Sequence, residues 1–508
     1  MYLKLTASKD TYITNKIIDS TTSASHANVG QASTLDLFKL YNENAYSGVT
    51  NPIELSKILI KFDLAKVSSS IKDKISMDHS SFKCTLSLKD VQGSHVAPSS
   101  FNVSAFPLSN SFDEGLGRDL YSFNDLDRAN WMTRSISNST NYLWNEQGAD
   151  SSGSLNSTNI DLIGSGVLGS TLIEFAKSQY FDTGIEDLEI DVTAAVSASA
   201  CGLMSDNGFC IQFSGSEATD TASRFVKRFA SKQSRNPFLK PELIVEYDDA
   251  INDNHNNFYF DTEGTLFLTN FSAGGYTNIL SASTSLTGDS AMKVKLSTGS
   301  WSKSVIASIH SSSGIPITGF YSASFTVTSS DSATVSYNKS LYNHIIASGS
   351  IVFGEQWLSI DETVQFYSGT LEISNQQIST TNKRRDLRFS ILNLNSKYKK
   401  GTDPRIRFFI RDKNLADEPS RIPISLSSIT LDEVYYRIKD INTGTILVPF
   451  RKENQNNSTR LSSDSDGMYF NLSTNAFPIG RNYTIELLVI DRGVEAIYET
   501  QCAFEVVV

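Results

Sequence analysis

Short runs of apolar, β-branched and aromatic residues, many alternating with polar ones, recur along the whole chain between Gly, Asn, Asp and Ser. A period of two puts every second side chain on one face, the mark of strands buried on one side. It predicts strands at Leu35–Tyr41, Lys57–Leu64, Leu243–Tyr247, Thr265–Thr269, Phe325–Thr328 and Tyr483–Ile490. Helical periodicity is confined to Asn51–Ser56 and Ala194–Ala200, a turn or two each. Many short strands with 11 prolines and 29 glycines between them predict an all-β chain of sandwiches or barrels.

Two stretches break the pattern. Asp248–Asn257 and Asn375–Arg384 are almost wholly polar and separate strand-rich regions. They divide the chain into three consecutive β-sandwich domains, 1–249, 250–374 and 375–508. Ser135–Ser170, rich in Ser, Asn and Gly, reads as an insertion of long surface loops in the first of these. No internal repeat of fixed period is present.

Composition narrows the function classes. A chain of 508 residues is too long for one core, and 39% hydrophobic residues are enough for several. Only 19% of residues are charged, so exposed faces must be Ser-, Thr- and Asn-rich. The formal net charge of -11 argues against general nucleic-acid binding. The N-terminus lacks an apolar signal region, and no run approaches the roughly 18 apolar residues of a membrane helix. The sequence therefore reads as a soluble chain made in a cytoplasm. Cys84, Cys201, Cys210 and Cys502 are scattered and form no CxxC pair. They read as buried or half-buried thiols, with a Cys201–Cys210 bridge as the alternative. No His/Cys constellation points to a metal, and no cofactor is expected.

Three motifs imitate chemistry. Gly164–Gly169 fits GxGxxG, but no βαβ alternation surrounds it, and it reads as a flexible loop. Asp464-Ser465-Asp466-Gly467 resembles part of a calcium loop but lacks the remaining ligands, so it reads as a turn before Met468–Leu472. Asp113 and Glu114 are adjacent carboxylates, and consecutive strand residues point to opposite faces rather than flanking one bond. No Gly-x-Ser-x-Gly elbow is present.

The first domain carries an ordered set of landmarks: Asp10–Ile13, Lys57–Leu64, Phe112–Gly115, Ala129–Trp131, Trp144–Asp150, Ile190–Thr193, Arg228–Lys232 and Lys240–Tyr247. Their order resembles the DNRLRE-type β-sandwich, a jelly-roll module similar to carbohydrate-binding modules. Phe112 replaces the usual Trp, and Gln147-Gly148-Ala149 replaces a Gly-Gly pair. Trp131 and Trp144 read as core or loop anchors rather than a sugar platform.

The C-terminal domain reads as immunoglobulin-like. Tyr435–Asp440 and Thr445–Phe450 flank an Asn442–Gly444 turn, and Gly480–Tyr483 suggests a tyrosine corner opening the strand to Ile490. The segments Thr318–Val327, Ser462–Phe470 and Gly480–Val489 resemble structural proteins of T4-like, contractile-tailed marine phages, over roughly residues 258–508. That resemblance implies a virion component of the neck, tail or baseplate, assembled in a host cytoplasm. Within Arg405–Arg411, a continuous strand sets Arg405, Arg407 and Arg411 on one face against Ile406, Phe408 and Ile410 on the other. Such a face is either solvated or docks an acidic neighbour, with Arg388 and Lys397–Lys400 nearby.

The expected function is thus that of a non-enzymatic structural protein. Its partners would be other virion proteins and copies of itself, not nucleic acid or membrane. The alternative is a carbohydrate-binding adhesin for surface glycans. A polysaccharide-degrading enzyme using Asp113 or Glu114 ranks behind both.

Overall fold

A computed structural model describes residues 1–508 apart from 73–74, 92–96, 169, 252–257, 273–274, 282–283, 313–314, 329–333, 337–338, 376–384, 415–427, 465, 476 and 492. Most of both predicted boundary stretches, 252–257 and 376–384, lies outside the described residues. The chain is all-β with few short helices. It divides into two compact units, one of Tyr2–Asp73 with Phe82–Glu246, the other of Met1, Lys74–Ser81 and Tyr247–Val508.

The first unit contains β1 (Tyr2–Thr14), β2 (Thr34–Tyr41), β3 (Ile53–Phe62), β4 (Lys83–Leu88), β5 (Phe101–Pro107), β6 (Thr133–Ser137), β7 (Thr140–Leu143), β8 (Ser152–Ser154), β9 (Leu162–Leu168), β10 (Thr171–Glu174), β11 (Lys177–Phe181) and β12 (Leu188–Asp191). Helix α1 (Thr193–Ala200), β13 (Phe209–Gln212), a single helical turn α2 (Ser216–Thr219), β14 (Arg224–Ala230) and β15 (Glu242–Glu246) complete it. The main sheet runs β11-β5-β13-β3-β1-β15-β4-β12, with β2 joining β3 to β14. Strand β1 pairs β15 over Tyr2–Thr6, then shifts at Ala7/Lys9 and pairs β3, so one strand serves both halves of the fold. The two ends of the path meet. The Gln179 side chain donates to Asp187 O at 2.9 Å and accepts from Glu189 N at 2.6 Å, which brings β11 beside β12.

The run Lys57–Phe62 is buried at both parities because β3 is covered on both faces. Ile58 and Ile60 face one core, while Leu59 joins Ile13, Cys210, Leu108, Trp131 and Trp144 in a second core.

Three sequence expectations change here. Asn51–Ser56 opens β3 instead of forming a helix. Its Glu54 is buried, accepting from Ile17 N at 2.7 Å and Asn44 Nδ2 at 2.8 Å, and this carboxylate hides the strand alternation. Ser135–Ser170 is not a run of loops but holds strands β6 to β9, with β10 pairing back on β9. Backbone pairing needs no apolar periodicity, so a Ser- and Gly-rich segment gave no signal. Cys201 is exposed, Cys210 is buried, and neither is bridged.

The second unit has two sheet systems. The first comprises β16 (Phe258–Tyr259), β17 (Glu263–Thr269), the short pairs β18 (Phe271–Ser272) with β19 (Gly275–Tyr276) and β20 (Leu280–Ser281) with β21 (Thr284–Ser285), β22 (Met292–Thr298), β23 (Trp301–Ser312), β24 (Ile315–Thr326), the pair β25 (Thr334–Ser336) with β26 (Lys339–Ser340), α3 (Leu341–Ser348), β27 (Ser350–Leu358) and β28 (Gln365–Ser374). Seven of these form the path β16-β28-β27-β22-β23-β24-β17. The long β23 pairs β22 through Trp301–Ala307 and β24 through Ser308–Ser312. It therefore turns a corner, and inward residues of both halves, among them Leu266, Val294, Tyr321, Phe353, Trp357 and Leu371, share one core.

The second system comprises β29 (Leu387–Ile391), β30 (Lys397–Lys399), β31 (Arg405–Asp412), β32 (Glu433–Asp440), β33 (Ile446–Val448), β34 (Ser462–Asp464), β35 (Gly467–Asn471), β36 (Asn482–Asp491) and β37 (Val494–Val507). Its two sheets are β29-β31-β35-β34 and β30-β37-β36-β32-β33. All pairs are antiparallel except β30 with β37. This is the strand order of an immunoglobulin-like sandwich. The Tyr436 ring of one sheet stacks on Phe470 of the other at 3.9 Å, an aromatic contact between the two faces. The tyrosine corner is present: Tyr483 Oη donates to Pro478 O at 2.6 Å.

Candidate functional site

Three of the sequence landmarks of the first unit, Asp10–Ile13, Phe112–Gly115 and Arg228–Lys232, meet in one loop-tethering network. Asp10 accepts from Lys232 N at 2.5 Å, Glu114 Oε1 accepts from Asp10 N at 2.9 Å, and Glu114 Oε2 pairs with Lys232 Nζ at 2.7 Å. Burial, with the Glu114 charge adding to it, raises the Asp10 carboxyl to about 7. Asp113 instead pairs with Arg128 at 2.9 Å and accepts from Ile136 N. The two adjacent carboxylates thus serve separate tethers, rather than facing one another across a cleft.

Asn28 is the hub that sequence reasoning missed. Its side chain is fully buried, donates to Glu114 O and Ala129 O at 2.9 Å each, and accepts from Gly30 N at 3.2 Å and Gly117 N at 2.9 Å. All four of its hydrogen-bonding positions are filled. Gly117 must lack a side chain, because a Cβ there would lie 1.8 Å from Asn28 O. No periodicity or motif marks Asn28, whose importance comes only from segments that meet in space.

Trp131 and Trp144 are buried in the second core, and Trp144 Nε1 donates to Asn130 O at 2.9 Å. Gly148, at φ +76°, sits against the Trp131 ring, where a Cβ would come within 2.4 Å. Lys57 reaches beneath that ring to Asp150 at 2.6 Å. The indoles anchor loops and present no stacking platform. Of the imitation motifs, Gly164–Leu168 lies within β9 and pairs with β10, so it is strand instead of loop, and Gly169 lies outside the described residues.

The arginine strand is β31. Ile406, Phe408 and Ile410 are buried, while Arg405, Arg407 and Arg411 lie on the other face. The three arginines do not act alike. Arg407 forms a two-point pair with Asp464, one contact being 2.9 Å, with Asp466 at 3.8 Å. Arg405 lies over the Tyr469 ring at 4.2 Å and donates to Asn471 Oδ1 at 3.3 Å. Arg411 stands directly opposite Arg388 in the β29–β31 register. Asp464, from the motif that imitates a calcium loop, is therefore a partner for Arg407 and closes the β34–β35 hairpin. Among the described residues, no cluster of three or more His, Cys, Asp or Glu is placed to hold a metal ion. No helix of the described residues is long and apolar enough to cross a membrane.

Arg405, Arg407 and Tyr469 form one side of a cleft of about 510 Å³ in the second unit. Tyr276, Phe320, Tyr367 and Glu355 line it from the seven-stranded sheet system. Ile251 approaches the same edge: Ser463 N donates to Ile251 O at 2.8 Å beside β34. Burial raises the Tyr469 phenol above its ordinary range.

No known protein family matches the chain, and no curated protein matches its sequence. Among solved structures, a titin A168–A169 fragment aligns with 51% of this chain and 96% of its own at 9% identity, TM-score 0.15. Three N-terminal domains of the highly immunogenic outer capsid protein Hoc of bacteriophage RB49 align with 49% of this chain and 66% of theirs, at 11% identity and TM-score 0.14. A trypsin-activated α2-macroglobulin from Escherichia coli aligns with 90% of this chain and 23% of its own, at 8% identity and TM-score 0.15. Alignments at these TM-scores carry no argument about role.

Proposed function

We propose that the chain is a non-enzymatic structural component of a tailed-phage virion, in its neck, tail or baseplate, acting through protein–protein interfaces. One observation carries this reading: the side chains that imitate chemistry are built into the frame. Asp113, Glu114, Asp10 and Lys232 tether loops, Asp464 holds Arg407, and Gly164–Leu168 is strand. The resemblance of residues 258–508 to structural proteins of contractile-tailed phages supports the same reading.

Its partners would be other virion proteins and further copies of the chain. The proposed docking face for an acidic neighbour is the arginine face of β31, with Arg405, Arg407 and Arg411. Arg407 is a poorer candidate than the sequence suggested, because its charge is already matched by Asp464.

Quantitative mass spectrometry of density-banded particles tests the reading. A fixed copy number per portal, at a multiple of three, six or twelve, is expected. A trace amount that washes away would overturn it. Charge reversal of Arg405, Arg407 and Arg411 together should cut incorporation while leaving the chain folded, and normal incorporation would remove the docking assignment.

A further inference from the structure

The cleft of about 510 Å³ falls in the size range of small-ligand sites, roughly 300–1,000 Å³. Its chemistry is specific. Tyr276 and Tyr367 line it and remain 42% and 43% exposed. Both rings are nevertheless held. Tyr276 packs at 4.7 Å from Phe320 and edge-on to Phe271 at 5.3 Å. Tyr367 lies back along its own strand over Gly369, where a Cβ would come within 2.7 Å of its hydroxyl. Gly369 thus gives the ring its place.

Planar polar groups accompany the rings. Glu355 lines the cleft although it is only 1% exposed, and Trp357 Nε1 donates to its Oε1 at 2.6 Å. Burying a carboxylate is costly, so one fixed at a cleft wall by an indole is a placed group. The Arg405 guanidinium is laid on Tyr469, and Asp466 stands 75% exposed at the rim.

We propose that this cleft binds a neutral oligosaccharide. A pyranose has C–H faces that pack on aromatic rings and a rim of hydroxyls. Those hydroxyls donate to carboxylates and accept from a guanidinium. Open rings held beside fixed Glu, Asp and Arg side chains match both surfaces. Charged ligands fit less well: an anion meets Glu355, Asp464 and Asp466, and a cation meets Arg405 and Arg407. The site is distinct from the first unit, whose Trp131 and Trp144 are buried, and it is independent of any role in a particle.

The test applies the full chain to a printed array of neutral oligosaccharides, then titrates the strongest binder by calorimetry. Tyr276→Ala and Tyr367→Ala should each weaken binding at least tenfold, and Asp466→Ala several-fold. Tyr180→Ala, an exposed ring of the first unit, should change nothing. Should a tyrosine variant melt early, the rise in melting temperature that the oligosaccharide gives the wild-type chain, reduced in Asp466→Ala, decides instead. Absence of any array signal overturns the proposal. So does unchanged affinity in both tyrosine variants, or loss confined to Tyr180→Ala.

Discussion

The loop network of the first unit and the arginine face of the C-terminal sandwich use the same side chains in opposite ways. Around Asn28 and Asp10, polar groups are sealed from water: the Asn28 side chain bonds four backbone atoms, and the Asp10 carboxylate accepts from Lys232 N. Arg407 of β31 and Asp464 of β34 are 18% and 29% exposed and mainly satisfy one another. Water competes for the second set and not for the first. The buried network should therefore decide whether the fold exists, whereas the exposed face can change charge at small cost and is available for contact with partners.

Asn28→Ala breaks the comparison most directly. It leaves two carbonyls and two amides without their bonds, at about 1–3 kcal/mol for a typical buried unmet group. A loss of about 3–5 kcal/mol in chemical denaturation is expected, and a loss below 1 would mean water replaces the side chain. Asp10→Asn probes the same network through pH. The folded carboxyl titrates near 7 against a reference of 3.8, so the folded state holds the proton more tightly. This group's contribution is fully present below about pH 4 and lost as pH rises through 7. At about 1.4 kcal/mol per unit, wild type should gain up to about 4 kcal/mol over Asp10→Asn between pH 8 and pH 4. A pH-independent difference would contradict the assignment.

Tyr483→Phe removes the corner bond to Pro478 O while keeping the ring, and should cost about 1–2 kcal/mol. A double-mutant cycle on Arg407→Gln and Asp464→Asn should return a coupling of no more than about 1 kcal/mol. A coupling of 3 or more would place that pair in the class of the buried network.

The strands were legible wherever one face is apolar, because alternation records burial. It placed Arg405, Arg407 and Arg411 opposite Ile406, Phe408 and Ile410, and the turn before Tyr483 announced the corner. It failed at Glu54, where a tethered carboxylate occupies an inward position, and across Ser135–Ser170, where strands pair through backbone alone. Asn28 and the cleft were illegible for a different reason. Each is assembled from segments far apart in sequence, and Arg407 looked available until the fold brought Asp464 to it.

The parallel pairing of β30 with β37 has a mechanical consequence. The first strand of that pair lies near the start of the sandwich and the second ends it, with Lys397 opposite Glu505 and Lys399 opposite Val507. Tension applied along the chain would slide the two strands past each other, loading their bonds together. In the first unit, Tyr2 and Glu246 are opposite in an antiparallel pair, so tension between them would peel β1 from β15 one bond at a time. Single-molecule pulling should find a higher rupture force for the C-terminal sandwich, which is the end suited to bear load.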